Sequence, residues 1–353
     1  MLFDAKQQGA TFVSLYSGAG GMDLGFVDAG FSPVFANDID PYAVETYNRT
    51  MKRLADERPN VSINHRALCG DIRELEVDFT QIQADLVIGG PPCQGFSVAG
   101  RMNPDDPRSR HVFDFMRVVE LVRPQGFVME NVKALAVNRR WSGIREALRI
   151  RAQELGYQTE LYVLNASHYG VPQARERMFF VGSKFGKPAA PTPTSFDNPP
   201  AVRSVLEDLP PHGEMGNDRI CTAKVTPAKN PVLRKSPYAG MLFNGQGRPL
   251  DLDQPSSTLP ASMGGNRTPI IDQEQLESDA EPWVPTYHAR LMRGLPPLKK
   301  VPKRLRRLTV DEAAAIQTFP PEIEWAGPQS AQFRQIGNAV PRALARAVAE
   351  NLR

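Results

Sequence analysis

Cys93 stands behind Pro91 and Pro92 and ahead of Gln94 and Gly95, directly after the apolar run Leu86-Val87-Ile88 and the pair Gly89-Gly90. Short apolar runs closed by Gly and Pro mark buried parallel strands, and open α/β sheets collect ligands just past the carboxyl ends of such strands. The prolines hold this loop rigid and the glycines permit close approach. A rigid loop presenting one thiol suits a nucleophile; a small buried hydrophobe is the plainer role of a free cysteine. A second run, Gly126-Phe127-Val128-Met129, delivers Glu130 to the same sheet edge, where a carboxylate serves as a general acid or caps a helix. Arg175 and Arg177 precede a third run, Met178-Phe179-Phe180-Val181. Their i, i+2 spacing puts both on one face of an extended segment, as an anion site or as a salt-bridged surface.

A ligand site is legible nearer the N-terminus. The strand Phe12-Val13-Ser14-Leu15 leads into Tyr16-Ser17-Gly18-Ala19-Gly20-Gly21 and then a helical pattern through Leu24, Phe26 and Val27. Such a turn lets a ligand lie against backbone at a helix N-terminus. Asp23 stands where the third glycine of a dinucleotide fingerprint belongs, which argues against NAD. Asp38 follows the glycines by about 20 residues at the end of the next strand, placed to accept from ribose hydroxyls.

The elements that must position these groups alternate strand and helix. Helices are expected from Asp40-Pro41 through Tyr47, over Val112 to Leu121 and over Ile144 to Leu155, with residues 51 to 60 an exposed charged connection. Between Gly186 and Pro211 there are seven prolines, the clearest composition break in the chain. Three parts follow from this: a catalytic and cofactor-binding domain over 1–185, a smaller irregular domain with linkers over 186–325, and a C-terminal segment, 326–353, returning to the first. Thr309 and Glu312 occupy capping-box positions, and Leu344, Ala345, Val348 and Leu352 make one face of a closing helix.

The 353 residues carry a formal net charge of only +3, but six basic and no acidic residues lie between Arg219 and Leu250, and eight basic and none acidic between Trp283 and Val310. Two such runs in one region point to a phosphate-binding surface rather than an idle solvated face. Lys299, Lys300, Arg304, Arg306 and Arg307 are the phosphate candidates. Arg248 and Arg267, beside glycine-rich loops, suit bidentate reading of base edges. No segment is long and apolar enough to span a bilayer, and Met1 to Ala10 lacks the apolar core of a signal peptide, so a cytoplasmic location on the nucleoid is expected. Cys69, Cys93 and Cys221 have neither zinc nor disulfide spacing.

Pro91-Pro92-Cys93-Gln94, Glu130-Asn131-Val132, Gln173-Ala174-Arg175-Glu176-Arg177 and Gln335-Ile336-Gly337-Asn338-Ala339-Val340 resemble, in this order, the motifs of the DNA cytosine-5 methyltransferases of bacterial restriction-modification systems. The resemblance covers nearly the whole chain and is weakest over residues 185–300. It implies an α/β, Rossmann-like S-adenosylmethionine-dependent domain with a mostly parallel sheet, plus a smaller irregular target-recognition domain. S-adenosyl-L-methionine would be the methyl donor and S-adenosyl-L-homocysteine the product. Tyr16, Ser17, Gly18, Gly20, Gly21, Asp38, Ile39, Asp71, Ile72 and Pro91 would hold it, with Asn338 and Val340 returning beside the turn. The family more often has a glutamate and an aromatic where Asp38 and Ile39 stand.

The same resemblance makes Cys93 the nucleophile toward carbon 6 of a flipped-out cytosine and Glu130 the acid at ring nitrogen 3. Arg175, with Arg177 beside it, would be the local cation and the partner of the base's carbonyl oxygen. The loop over residues 100–110 would close over the base, bringing Gln94, Ser97 and Arg101 to DNA. Thr258-Leu259 is similar to a dipeptide of the family's recognition region. Double-stranded DNA is the implied partner, together with a cognate restriction endonuclease that acts independently, and a monomer is the default. Three other readings stay open: methylation of tRNA, methylation of an RNA cytosine by a two-cysteine scheme, and a DNA-binding regulator with a dead site. The Pro-Pro-Cys-Gln-Gly-Phe-Ser loop, the absence of a suitably placed second cysteine, and the intact Cys93, Glu130 and Arg175 argue against them in turn.

Overall fold

The computed structural model describes residues 9–58, 61–92, 110–278 and 280–353. Its contacts divide the chain into two compact units. The first is Met1–Tyr169, Glu176–Thr194 and Val340–Arg353; the second is Gly170–Arg175 and Ser195–Ala339. Residues 326–339 thus sit with the second unit, and the return to the first starts at Val340.

The first unit is built on β1 (Thr11–Leu15), α1 (Gly21–Asp28), β2 (Ser32–Asp38), α2 (Pro41–Glu57), β3 (Leu68–Cys69), β4 (Leu86–Gly89), α3 (His111–Val122), β5 (Gly126–Val132), α4 (Lys133–Val137), α5 (Ser142–Glu154) and β6 (Gln158–Asn165). After the short β7 (Gln173–Ala174), which belongs to the second unit, β8 (Glu176–Ser183) completes a seven-stranded sheet of order β3-β2-β1-β4-β5-β8-β6. The first five strands are parallel; β8 runs antiparallel to both β5 and β6.

The apolar runs of β1, β4 and β5 lack polar alternation because both faces of the sheet are covered. On one face Val13, Leu15, Val87, Phe127 and Met129 pack with Val112, Phe115 and Val119 of α3 and Leu148 of α5. On the other, Phe12 meets Phe26 of α1 at a ring distance of 5.7 Å, and α1 lies against the closing helix α11 (Arg342–Glu350). Asp28 joins these pieces, pairing with Arg342 at the start of α11 and with Arg58 just past α2.

One expectation fails here. Residues 51–57 are not an exposed connection: α2 continues to Glu57, with Met51 and Leu54 buried. Asp40 caps that helix, accepting from Tyr42 N at 3.0 Å.

The second unit has α6 (Val202–Leu206), β9 (Pro227–Val232), β10 (Met241–Phe243), β11 (Ser256–Ser257), β12 (Ile270–Asp272), α7 (Gln273–Ser278), α8 (Trp283–Met292), β13 (Leu305–Arg307), α9 (Val310–Ile316) and α10 (Gln329–Asn338). Among the described residues its named strands pair in twos: β9 with β10, β12 with β13, and β7 with β11. Leu242, Phe243, Ile270, Val284, Tyr287, Leu291 and Leu305 form its core. Thr309 and Glu312 form the expected capping box of α9. Among the described residues no helix is long and apolar enough to cross a membrane.

Candidate active site

β5 does not stop at Met129. It carries Glu130 and Asn131 inside the ladder, where Glu130 faces Phe179 and Val132 faces Arg177 on β8. That register brings Arg177 Nε to 2.8 Å from Glu130 Oε1, with both side chains largely buried. A guanidinium so placed fixes the plane of the carboxylate. The other oxygen, Oε2, is turned to the end of β4, where a Cβ at Gly90 would stand 2.9 Å from it. Asn131 Nδ2 donates to Pro91 O at 3.1 Å. The Gly90-Pro91 segment is therefore docked on Glu130 and Asn131. The expected nucleophile Cys93, and Gln94, Ser97 and Arg101, lie outside the described residues.

The two arginines of the Gln173 to Arg177 stretch go separate ways, because the strand breaks between β7 and β8 at Arg175. Arg177 serves Glu130. Arg175, 1% exposed, donates to Leu259 O at 3.3 Å and Gly337 O at 2.9 Å inside the second unit. Its neighbour Gln173 accepts from Leu259 N at 3.0 Å and donates to Gln317 Oε1 at 3.1 Å, and Gln317 donates to Ile336 O at 2.7 Å. Arg177 thus places a guanidinium at the carboxylate, and Arg175 donates to two backbone carbonyls. A periodicity argument could place both side chains but not name their partners.

At the glycine turn, Tyr16, Gly18 and Gly20 all have positive φ. Gly18 N donates to Asp38 Oδ2 and Asp40 N to Asp38 Oδ1, each at 2.8 Å. Asp38 therefore braces the turn as well as facing outward from the end of β2, and burial pushes its carboxyl up. Ile39 beside it is 67% exposed, an apolar surface at a strand end where a flat ring could lie. Asp71 accepts from Arg73, from the backbone N at 3.0 Å and Nε at 2.9 Å on Oδ1 and from Nη2 at 2.5 Å on Oδ2. That guanidinium holds the carboxyl down, to about 2. By lone-pair count, Oδ2 keeps room for one more donor. Ile72 is buried in the core, so it can offer a ligand its backbone rather than its side chain.

Asn338 is exposed at the end of α10, and Val340 is buried where the first unit resumes. Sequence reasoning missed His111, whose Nδ1 lies 3.1 Å from Tyr16 Oη, and the buried Asp23 and Tyr47 behind the turn. Only the apolar setting of Asp23 hinted that it must point inward.

Among the groups expected to meet DNA, Arg248, Arg267, Lys299 and Lys300 are exposed. Arg304 and Arg306 are not free cations: Arg304 pairs with Asp272 and Glu274, and Arg306 is bidentate to Glu312. Arg307 is 1% exposed and donates to the carbonyls of Thr268, Ala223 and Asn244. A run without acids along the chain is neutralised by acids brought from β12, α7 and α9. These three arginines are corrected from phosphate contacts to parts of the fold.

The chain matches the family described as C-5 cytosine-specific DNA methylase over residues 10–353. It is 34% identical to the Type II methyltransferase M1.HphI of Haemophilus parahaemolyticus, over 96% of this chain and 86% of that one. It is 31% identical to M.XorII of Xanthomonas oryzae pv. oryzae, over 95% of this chain and 82% of that one. Among solved structures, the Dnmt2 methyltransferase of S. pombe superposes with a TM-score of 0.65 at 21% identity, covering 97% of this chain and 98% of that one. This last likeness is one of fold.

Proposed function

The chain belongs to the C-5 cytosine-specific DNA methylase family, so it is a DNA cytosine-5 methyltransferase, and from that premise we propose that Cys93, Glu130 and Arg177 carry the reaction. The observation that carries this reading is the Glu130–Arg177 pair at 2.8 Å, abutting Gly90 at the root of the Cys93 loop.

Carbon 5 of cytosine is a weak nucleophile. Attack of the Cys93 thiolate on carbon 6 makes carbon 5 enamine-like and splits one hard step into easier ones. An ordinary thiol with a pKa of about 8.5 is mostly protonated at neutral pH, so the proton must leave during attack or be drawn off by local positive charge. Glu130 Oε2, turned toward Gly90, holds or delivers the proton at ring nitrogen 3 as charge builds on the ring. Arg177 keeps that carboxylate oriented through Oε1 and takes over the part first given to Arg175, which serves backbone carbonyls. Once carbon 5 has taken up the methyl group, loss of its proton restores the ring double bond and lets the thiolate leave by elimination. The base must be swung out of the duplex for any of this, at a cost of a few kcal/mol.

S-adenosyl-L-methionine supplies the methyl group. The residues present fit it: a left-handed turn at Gly18 and Gly20 that lets a ligand lie close to the backbone, Asp38 for ribose hydroxyls, exposed Ile39 for an adenine face, and the remaining lone pair of Asp71 for its amino group. Val340, where the first unit resumes, completes that set. We assign target reading to the second unit, with Arg248 and Arg267 at base edges and Lys299 and Lys300 on phosphates. Type II relatives make a cognate endonuclease the natural companion.

The test is labelled S-adenosylmethionine with unmethylated duplex DNA or total tRNA, followed by mapping of the modified base. Label on DNA cytosine carbon 5 at one short repeated sequence supports the reading; label on tRNA alone overturns it. Cys93→Ser should bind DNA yet form no adduct with a mechanism-trapping base, and normal turnover by that variant removes the nucleophile assignment.

A further inference from the structure

Behind the glycine turn lies a set of polar side chains that the reaction does not use. Asp23, in the first turn of α1, is fully buried. Its Oδ2 accepts from Ser14 Oγ of β1 and its Oδ1 from Tyr47 Oη of α2, both at 3.0 Å. Tyr47 Oη also lies 3.2 Å from His65 Nε2. The ring of Tyr47 is fully buried and passes directly beneath Gly20: a Cβ there would meet Cδ2 at 3.1 Å, at a residue whose φ is +87°. The turn thus rests on an aromatic plate whose hydroxyl is bolted to a buried carboxylate, with both groups on elements that flank the turn.

We infer that Tyr47, locked by Asp23, is a positioning residue for the methyl donor: it sets the height of the Gly18 to Gly20 backbone and hence cofactor affinity, without touching the cofactor or the reacting base. The inference rests on reading this turn as the cofactor site. Tyr47→Phe keeps the plate and removes the bolt. A hydrogen bond to a carboxylate is worth enough that about a tenfold rise in Kd is expected. Calorimetric titration of S-adenosylhomocysteine should show that rise. The KM for S-adenosylmethionine should follow it, with kcat and DNA affinity within about twofold of the parent. Ser14→Ala, which removes only the second donor to Asp23, should give a smaller rise of the same kind.

Unchanged cofactor affinity in Tyr47→Phe overturns the inference, as does a fall in kcat at constant KM. Should Tyr47→Phe fail to fold, Ser14→Ala decides by the same criteria. Failure of the parent protein itself to bind S-adenosylhomocysteine refutes the reading of the turn instead.

Discussion

Replacing each arginine of the Gln173 to Arg177 stretch by methionine separates stability from chemistry. Arg175→Met removes the donors to Leu259 O and Gly337 O at a site 1% exposed. Each buried carbonyl left unsatisfied costs about 1–3 kcal/mol, so the pair costs about 4 kcal/mol. For a body the size of the second unit, each kcal/mol moves the melting temperature by about 2–4 °C, so a fall of about 10 °C is expected. Well below that transition, kcat should stay within a fewfold of the parent. Arg177→Met instead leaves Glu130 without the guanidinium on Oε1. Its loss strands a largely buried carboxylate, at about 3–5 kcal/mol of stability, and in addition misorienting a general acid costs about 10²–10⁴ in kcat. Calorimetric melting and steady-state turnover at a fixed temperature read the two axes. An Arg175→Met enzyme that melts within 2 °C of the parent (roughly half a kcal/mol) yet loses turnover as deeply as Arg177→Met refutes the division of roles.

Burial alone would raise the Asp28 carboxyl, but hydrogen bonds from Arg342 and Arg58 outweigh it and hold it below the usual range. Its contribution is therefore present above about pH 4 and lost as pH falls through the folded value, and Asp28→Asn should unfold at higher pH on acid titration than the parent does. Asp23 is shifted the other way: burial, aided by the like charge of Asp38 and opposed by Ser14 and Tyr47, pushes it up to about 7. The native state gains stability from its protonated form below about pH 4 and loses that gain as pH rises toward 7, so the parent's denaturation midpoint should decline over that window while Asp23→Asn stays flat. Lys299→Ala with Lys300→Ala should lower the slope of log affinity for DNA against log salt by about 2. Arg306→Gln should leave that slope alone and lower the melting temperature, because it strands the buried carboxylate of Glu312.

Local signals carried the parts of the fold that depend on local physics. Apolar runs closed by Gly and Pro located β4 and β5, and the Thr309 and Glu312 spacing located the start of α9. Of the quoted motifs, Pro91-Pro92-Cys93-Gln94 begins just past β4 and Glu130-Asn131-Val132 closes β5, as the apolar runs before them imply. Partnership was out of reach. Arg304 and Arg306 read as part of a free basic run because Asp272, Glu274 and Glu312 approach them through the pairing of β12 with β13 and the placement of α7 and α9, and Arg307 because its partners are backbone carbonyls. Arg175 and Arg177 read as equivalents because a break in the ladder between them has no composition of its own. Asp23 read as a failed glycine position; nothing in a window around it points to Tyr47, 24 residues away on another helix.

The first unit is assembled from three stretches of chain, the last of them Val340–Arg353, and α11 of that stretch covers α1 and supplies Arg342 to Asp28. During synthesis the β-sheet emerges long before the helix that covers one of its flanking layers. Ribosomes adding about 5–20 residues per second therefore expose the apolar side of α1 for many seconds, while the residues between Thr194 and Val340 are made. The nascent chain passes through a stage that invites chaperones or proteases.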